Sequence, residues 1–481
     1  MTSSGAAGPA TQALEEIRTR RPVVGLAAVV VRPGETADVD ASGWADLASG
    51  RPFAADTVVR VASITKTFTA IAVMQLTEQG LLDLDTPVND VLRSLRLTPA
   101  RPGLGPVTIR HLLTHTAGLG ELAHPTGVLR PDFGESVPAG EPLPTLADLY
   151  GGRLRVHAQP GTRFVYSNHA PAVLGQLVED VTGTPLHAHL REHVLDPLGM
   201  ENSDLRRTPH LASRLATGYE IGSRGVRAVA ERDMVTTGAA SLYSTPADMA
   251  RYLAALLAGG RGERGSILRR ETLALMLSPQ YQPDPRVPGM GLGFFRYRVG
   301  RHVAVGHQGT HPGFHAQVLL VPDAGPGVAL FTNGGHHPDF WLPAAASTLL
   351  RAALGEPTEP RHDGPHRPDL WPDLCGRYRL PARLTDSRLR GMLGAGASVF
   401  VRSGRLMLRF LTVVPALARG FPLQPDDPQD PWVFRVDLEE TGMDPLRVVF
   451  APGTHGAPTR LHLEIMPVTL VRHRAPRPPR W

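Results

Sequence analysis

The chain has 481 residues, of which 42% are apolar and 20% charged, a composition typical of a globular protein with a sizeable core and two domains. Its formal net charge of +5 is dilute over this length, and no arginine run alternates with aromatic residues, so a nucleic-acid partner is not expected. The only cysteine, Cys375, cannot form a disulfide within the chain.

The amino terminus carries no targeting pattern. Residues 1–20 have neither a positively charged start nor an apolar stretch, and no run of about 18 apolar residues occurs in the sequence. We therefore expect no secretory signal, no membrane contact and a cytoplasmic location. Residues 1–19 are expected to be disordered or loosely attached, and residues 20–354 to form the first domain.

Two strands are predicted to open the fold. Val23 to Val31 and Asp38 to Trp44 are joined by a Pro-Gly turn. A short strand, Asp56 to Val61, comes next, and Ser63 to Gln79 has the pattern of a helix that Gly80 ends. The serine therefore stands at the start of a helix.

Lys66 is the only lysine in a chain with 49 arginines, and it lies three residues after Ser63. An ammonium group can lose a proton near neutral pH, whereas a guanidinium cannot. Residues three apart in a helix share one face, at roughly 5–6 Å between Cβ atoms. The helix N-terminus disfavours the charged amine and stabilises negative charge near Ser63, which predicts a nucleophile with its proton acceptor. The alternative, that Ser63 only caps the helix, leaves Lys66 unexplained.

His111 and His115 are spaced four residues apart, as in zinc protease helices, but Leu112 occupies the place of the catalytic glutamate. We interpret this segment as a packed structural turn. Residues 121–160 are rich in proline and glycine and precede the next motif. They are predicted to wall the pocket and to determine substrate selectivity.

The string Tyr166-Ser167-Asn168 lies where a loop leads into the apolar helix pattern Ala172 to Val181. A phenol beside an ammonium can be held as phenolate and accept the serine proton, and an asparagine amide can bond a substrate carbonyl or the lysine. For Tyr166 alone, a packed loop tyrosine with a satisfied hydroxyl is the alternative. The presence of the serine and lysine favours the catalytic interpretation.

Amphipathic helices are predicted at Pro246 to Leu257 and Arg270 to Leu277. The strand pattern then returns in four segments, near residues 293–299, 303–309, 314–321 and 327–332. Strands at both ends with helices between them predict an α+β fold. We expect an antiparallel sheet flanked by helices plus a mainly helical lobe, with the site in the cleft between them.

The string H-Q-G-T (307–310) lies at the end of the strand-like stretch His302 to Gly306. A glycine at a strand edge lets a substrate acyl group lie against backbone, and an N–H there can act with the Ser63 N–H as an oxyanion hole. The H-x-G pattern also occurs at 311–313 and 362–364. Only its position relative to the strand selects the first of the three.

These motifs resemble those of the serine beta-lactamase-like hydrolases. The strings are S-I-T-K (63–66), L-L-T-H-T-A-G-L (112–119), Y-S-N (166–168), S-L-Y-S-T-P-A-D-M (241–249), H-Q-G-T (307–310) and G-F-H-A-Q-V-L-L-V-P (313–322). The resemblance spans residues 20–350. It indicates the branch with class C beta-lactamases, D-aminopeptidases, DD-peptidases and family-eight esterases, and so implies a serine enzyme of that fold.

The resemblance implies that Ser63 attacks an acyl carbonyl and forms an ester-linked acyl-enzyme, while Lys66 and Tyr166 share the proton transfer. Which of these two is the kinetic base stays open, because two such close groups titrate as a coupled pair.

The resemblance also assigns the binding groups. Asn168 would orient the amide side, and His307 and Gly309 would line the far strand. The backbone N–H groups of Ser63 and Thr310 would be the oxyanion donors.

His307 departs from the lysine that lactamases have at this place. A histidine of ordinary basicity is mostly neutral at pH 7 and attracts a substrate carboxylate less. We therefore expect a carboxylesterase or a D-amino-acid amidase or peptidase, acting on small esters, amides or D-amino-acid peptides and only weakly on carboxylate-bearing beta-lactams. The alternatives are a beta-lactamase, a penicillin-binding protein, or a catalytically silent relative that binds a ligand.

Neighbouring strands could bring together five histidines as metal ligands: His307, His311, His315, His336 and His337. Neither a carboxylate nor a cysteine stands at a matching spacing, so we predict no metal and no cofactor.

Residues 355–370 are predicted to be a linker, and residues 371–481 a second, all-β domain. Val399 to Arg402 and Arg405 to Phe410 flank a two-residue hairpin turn. Further strands are predicted at Trp432 to Val436, Leu446 to Phe450 and Leu461 to Ile465. With C-G-R-Y at 375–378, this pattern resembles the lipocalin-like barrel appended to some relatives. Its role stays open between covering the cleft, mediating a homo-oligomer and stabilising the fold.

Overall fold

A computed structural model describes residues 8–121, 131–322, 325–356, 364–380, 390, 393–453 and 459–473. Within them the α-helices are α1 (Pro9–Arg20), α2 (Thr65–Glu78), α3 (Val88–Val91), α4 (Ile109–Leu113), α5 (Leu146–Tyr150), α6 (His169–Thr182), α7 (Leu186–Leu190), α8 (Asp196–Leu198), α9 (Pro209–Ala212), α10 (Thr237–Ala240), α11 (Pro246–Leu257), α12 (Arg270–Leu277), α13 (Pro338–Ala353), α14 (Trp371–Leu374) and α15 (Pro415–Ala418). Short 3-10 turns occur at Ala62–Ile64, Pro131–Gly134, Pro368–Leu370 and Glu439–Thr441, and a π-helical turn at Arg191–Leu195.

The main region, residues 9–353, contains a seven-stranded antiparallel sheet. The strands of this region are β1 (Gly25–Val31), β2 (Asp38–Asp46), β3 (Arg51–Pro52), β4 (Val59–Arg60), β5 (Arg96–Pro99), β6 (Ser136–Pro138), β7 (Arg153–Val156), β8 (Tyr219–Gly222), β9 (Gly225–Ala228), β10 (Arg232–Met234), β11 (Tyr243–Ser244), β12 (Phe295–Val299), β13 (His302–His311), β14 (Phe314–Leu320), β15 (Gly327–Thr332) and β16 (Gly334–Gly335). The order in the large sheet is β12-β13-β14-β15-β1-β2-β3. The first and last stretches of the region therefore meet at its centre, where Ala28 pairs with Leu330.

Strand β1 is buried along its whole length because helices cover both faces of the sheet. Ala27, Val29 and Val31 belong to the core that contains α2 and α11. The alternate residues of β1 pack with α1 and α13 on the other face. The strand pairs predicted from Val23 to Val31, Asp38 to Trp44 and the four later segments are confirmed.

The prediction of a loosely attached segment at residues 1–19 is wrong for residues 9–19. Helix α1 packs on the sheet, and its Ala10, Leu14 and Ile17 are buried against the α13 side. These three residues form one apolar stripe at helical spacing, which the expectation of a frayed terminus overlooked. Residues 1–7 lie outside the described part of the chain.

Helix α2 is the central helix of the helical lobe and is buried on nearly all sides. Helices α6 and α10 lie against it, and the chain before α6 passes Ser63. This packing explains why α2 has no separate polar face, although buried threonines, Lys66 and Gln75 stand among its apolar residues. The site therefore lies where the lobe meets the sheet.

The C-terminal part forms a nine-stranded antiparallel sheet. Its strands are β17 (Gly376–Arg379), β18 (Gly396–Arg402), β19 (Arg405–Phe410), β20 (Phe421–Pro422), β21 (Gln424–Pro425), β22 (Val433–Val436), β23 (Leu446–Ala451), β24 (Arg460–Leu463) and β25 (Val468–His473). The order runs β20-β19-β18-β17-β25-β24-β23-β22-β21, so the two outer strands are consecutive in the chain and the sheet nearly closes into a barrel. The predicted hairpin at Ser403-Gly404 is confirmed, with both residues at positive φ as a type I′ turn requires.

The barrel packs on the main region through an apolar contact and a charged seam. Phe164, Met290 and Phe295 belong to the same hydrophobic cluster as the barrel interior. In the seam, Arg286 donates to Asp430 at 2.9 Å, and Arg298 on β12 donates to Glu464 at 2.9 Å. The proposed boundaries at 355 and 371 stay predictions, and residues 357–363 of the predicted linker and 474–481 of the tail lie outside the described residues.

Helices of the described residues are all too short or too polar to cross a membrane.

Candidate active site

Ser63 lies in the 3-10 turn Ala62–Ile64 that leads directly into α2, so the predicted helix start is confirmed. The residue before it, Ala62, has φ +47°, a conformation that costs about 1–3 kcal/mol in a residue with a Cβ atom. Strand β13 holds this turn from one side. A Cβ atom at Gly309 would lie 2.1 Å from the Val61 carbonyl oxygen, so only glycine permits the contact.

Lys66 is buried and donates three hydrogen bonds. Its Nζ lies 2.8 Å from Ser63 Oγ, 2.9 Å from Asn168 Oδ1 and 2.9 Å from the Ala239 carbonyl oxygen. The amine and the hydroxyl are neighbours because their residues stand three positions apart at the start of the helix. The geometry allows a proton to pass between them.

Tyr166 approaches Ser63 from the loop before α6. Its hydroxyl donates to Ser63 Oγ at 3.0 Å, and Lys66 Nζ lies 5.1 Å from its ring centroid. The serine oxygen therefore accepts from both groups that could take its proton.

Asn168 ends the same loop, at the start of α6. While its Oδ1 accepts from Lys66, its Nδ2 donates to Glu135 Oε2 at 2.9 Å. Of the two partners suggested for Asn168, a substrate carbonyl and the lysine, the structure shows the lysine. Nothing in the sequence distinguishes Glu135 from the other acidic residues of the Pro- and Gly-rich stretch 121–160. No sequence signal links Asn168 and Glu135, because only the fold joins residues that are 33 positions apart.

His307, Gly309 and Thr310 lie on β13, beyond the end of β12, which stops opposite Gly306. The hairpin between β13 and β14 closes on His311 and Phe314. Alternate residues of an antiparallel strand bond to opposite neighbours, so the Thr310 N–H is directed to the edge that β12 leaves open. The His307 side chain is buried on the face of β13 that is turned toward Ser63. On the opposite face, the Thr310 hydroxyl donates to Asp339 Oδ1 at 2.7 Å.

An aromatic wall borders the site. The Phe295 ring is 5.1 Å from His307 and 6.1 Å from Tyr166, and Phe164 lies 5.9 Å from Phe295. Because Phe164 and Phe295 belong to the cluster that includes the barrel interior, the barrel supports one wall of the pocket.

His115 was interpreted as part of a structural turn, but it also borders the site. Its ring lies 4.7 Å from that of Tyr166, and its backbone oxygen accepts from Val165 N at 2.8 Å. Burial, with smaller contributions from Lys66 and His307, holds the pKa of His115 well below its usual value, so it is an uncharged packing partner of Tyr166. His111 instead accepts from Thr108 N as part of a helix cap.

Over the described ranges no group of three or more His, Cys, Asp or Glu side chains is arranged to hold a metal ion. The His311 pKa is lowered to about 3, mainly by burial.

The comparisons with known proteins agree with this geometry. The sequence profile of the family described as Beta-lactamase matches residues 10–353. Penicillin-binding protein 4 of Amycolatopsis lactamdurans is 30% identical over 353 residues, which cover 71% of this chain and 88% of that protein. Esterase EstB of Burkholderia gladioli is 38% identical over 200 residues, 39% of this chain; the matched part is about half (48%) of the esterase's length.

Solved structures show the same fold. The D-amino acid amidase of Ochrobactrum anthropi SV3, complexed with L-phenylalanine amide, aligns with a TM-score of 0.57 and 26% identity over 72% of this chain and 97% of that one. An octameric penicillin-binding protein homologue from Pyrococcus abyssi aligns with a TM-score of 0.59 and 24% identity over 96% of this chain and 98% of that one, so its likeness includes the C-terminal part.

The family profile covers more than half of the sequence, and the fold and the Ser-Lys-Tyr geometry agree with it. The chain belongs to the Beta-lactamase family and is a serine hydrolase.

Proposed function

We propose that Ser63 is the nucleophile of a metal-independent hydrolase that acts on small esters or amides through an acyl-enzyme. One observation carries the assignment: Ser63 Oγ accepts hydrogen bonds from both Lys66 Nζ and the Tyr166 hydroxyl. A buried serine with two such neighbours has an immediate acceptor for its proton once either neighbour is deprotonated.

In the acylation step Ser63 Oγ bonds to the acyl carbon and its proton passes to Lys66 or Tyr166. The leaving alcohol or amine takes that proton as its bond to the acyl carbon breaks. Water then attacks the acyl carbon and gives its proton to one of the same groups; the bond to Ser63 Oγ breaks, that oxygen takes the proton, and the acid is released. Negative charge on the acyl oxygen would be held by the Ser63 and Thr310 backbone N–H groups, a role that the open edge of β13 supports.

Substrate class follows from the groups around the nucleophile. His307 stands where lactamases have a lysine, and its ring lies 5.1 Å from that of Phe295 and 6.2 Å from that of Tyr166. We therefore propose carboxylesterase or D-amino-acid amidase or peptidase activity, in keeping with relatives named esterase EstB and, in Cereibacter sphaeroides, D-aminopeptidase. A cytoplasmic location and a homo-oligomeric state stay predictions from the sequence.

Covalent labelling tests the nucleophile. The full chain is incubated with a fluorophosphonate probe, digested and mapped by mass spectrometry, with Ser63→Ala as the matched control. A label on the peptide with Ser63 that disappears in the variant is expected. A folded wild-type protein that takes no label would support the ligand-binding relative instead.

A substrate panel tests the class. Short-chain chromogenic esters, D-amino acid amides and a cephalosporin are compared by kcat/KM. We expect esters or amides to exceed the cephalosporin in kcat/KM by at least about tenfold, because His307 takes the place at which lactamases have a permanently charged lysine. Equal or faster cephalosporin hydrolysis would contradict the proposal.

A further inference from the structure

A buried carboxylate that belongs to none of the sequence motifs lies beside the hydrogen-bond network of Lys66. Glu135 is 3% exposed and precedes β6. Its Oε2 accepts from Asn168 Nδ2 at 2.9 Å and from the Thr236 hydroxyl at 3.4 Å. Because Asn168 Oδ1 accepts from Lys66 Nζ at 2.9 Å, one amide bridges a buried carboxylate and the buried amine.

The groups on the other side of Glu135 are uncharged. Burial lowers the pKa of His169, whose Nε2 lies 2.8 Å from the Glu121 carbonyl oxygen and 3.7 Å from Glu135 Oε1. A carbonyl only accepts, so Nε2 carries the hydrogen and Nδ1 accepts from the Tyr150 hydroxyl at 3.1 Å. Burial raises the pKa of Tyr150, so its proton stays in place.

Among the described residues, Tyr166 and His115 are titratable groups on the amine side of the network, and the His307 ring lies 6.2 Å from that of Tyr166. His115 is uncharged for the reason given above. Glu135, which Asn168 links to the amine, is a carboxylate whose charge opposes an ammonium at Lys66.

We propose that Glu135 is a positioning residue for the reaction: it fixes the Asn168 amide with its oxygen toward Lys66 and supplies the counter-charge for the lysine ammonium. A carboxylate has only acceptors, so the Asn168 NH2 group must face it and the amide oxygen must face the amine. The inference rests on the proposed function, because it concerns the same proton transfer.

The arrangement acts on the transition state. As the proton of Ser63 Oγ moves to Lys66 Nζ, positive charge grows on the amine while the oxygen bonds to the acyl carbon. The Asn168 oxygen and the carboxylate behind it stabilise that charge where water is excluded. In the free enzyme the same carboxylate favours the ammonium form, which sets the acidic limb of the pH–rate profile.

The test is the isosteric variant Glu135→Gln, assayed on the best ester from pH 4.5 to 9 with rates normalised to sites titrated by the fluorophosphonate. Removing the negative charge keeps the amine neutral to lower pH, so the acidic limb should move down by roughly 0.5–1 pH unit. At the plateau kcat should fall about fivefold, the rate equivalent of one neutral hydrogen bond, because a glutamine can also turn the Asn168 amide around.

Two matched variants separate charge from shape. Glu135→Asp keeps the charge with a shorter reach, so its acidic limb should stay in place while kcat falls. Glu15→Gln removes the charge of an exposed residue on α1, away from the site, and should leave both unchanged. An unmoved limb in Glu135→Gln, with normal Ser63 labelling, would overturn this inference alone; absent labelling of the wild-type chain would overturn the proposed function itself.

Discussion

The network around the nucleophile and the seam between the main region and the barrel use different cations. In the seam Arg286 bonds to Asp430, and Arg298 bonds to Glu464. Near the nucleophile the cation is Lys66, the only lysine of the chain. A guanidinium stays protonated at any working pH and can hold two parts of a protein together but cannot exchange a proton. The contrast supports the assignment of proton transfer to the lysine.

The two regions also differ in how charge is balanced. At the seam, hydrogen bonds to Asp284 raise the pKa of Arg286, and each ion is in direct contact with its counter-ion. In the site, an amide separates Lys66 from Glu135. A bridged pair holds the proton less firmly than a direct one, because Coulomb attraction falls with distance.

Replacement of Tyr166 by phenylalanine gives the largest effect among the variants that probe this contrast. The phenol leaves the proton network around Ser63 while the ring stays in the aromatic wall. We expect kcat to fall by roughly 10²–10⁴-fold with little change in Tm. Stopped-flow or steady-state ester hydrolysis measures it.

The matched control for that variant is Tyr252→Phe. The Tyr252 hydroxyl is buried too and donates to Thr67 at 2.7 Å, but its ring stacks on Phe68 outside the site. The Tyr252→Phe variant should lower the free energy of unfolding by about 1 kcal/mol and leave kcat unchanged. Equal kcat losses in both variants would mean that the Tyr166 hydroxyl has only a structural role.

Replacement of Arg286 by methionine tests the seam. The change leaves Asp284, which is buried, and Asp430 without their cation. We therefore expect the free energy of unfolding to fall by about 1–2 kcal/mol and the Tm to fall by roughly 3–6 °C. Calorimetry measures it, with Arg227→Met at an exposed pair as control and a shift under about 1 °C. An unchanged Tm in Arg286→Met would show that the seam adds nothing to stability.

An effect of similar size concerns pH and the barrel. Burial lowers the pKa of His462 to about 4. Below about pH 6.5 this histidine binds a proton in the unfolded chain, whereas in the folded protein it stays neutral down to about pH 4. The free energy of unfolding therefore falls as the pH drops from about 6.5 to about 4. His462→Gln should reduce that fall by about 2 kcal/mol.

Urea unfolding at pH 7 and pH 4.5 measures the difference. Replacement of the exposed His210 by glutamine is the control and should leave the acid-induced loss as in the wild type. A His462→Gln variant with the wild-type loss would contradict the assignment.

Much of the fold could be predicted because local signals decided it. Helices α11 and α12 have the predicted bounds. The Thr245 hydroxyl caps α11 from the position before it, and Pro246 is its first residue. The strand expected at Asp56 to Val61 shortens to β4, since only Val59 and Arg60 pair with β11. Pairing depends on a distant segment, which a local pattern does not contain.

The site divides in the same way. Ser63 and Lys66 were predictable because helix geometry alone brings them together. The contribution of Glu135 and the position of His115 beside Tyr166 depend on tertiary packing of loops, and neither residue stands in a pattern of its own. Contacts of this kind, between single residues from distant parts of the chain, could not be predicted from the sequence.

The rate at which a fluorophosphonate labels Ser63 in the Lys66→Arg variant tests the central claim most directly. The variant keeps a cation of similar length but cannot accept the serine proton. With folding verified by circular dichroism, we predict labelling about 1000-fold slower than in the wild type or slower still. A folded variant that labels at the wild-type rate would contradict the account.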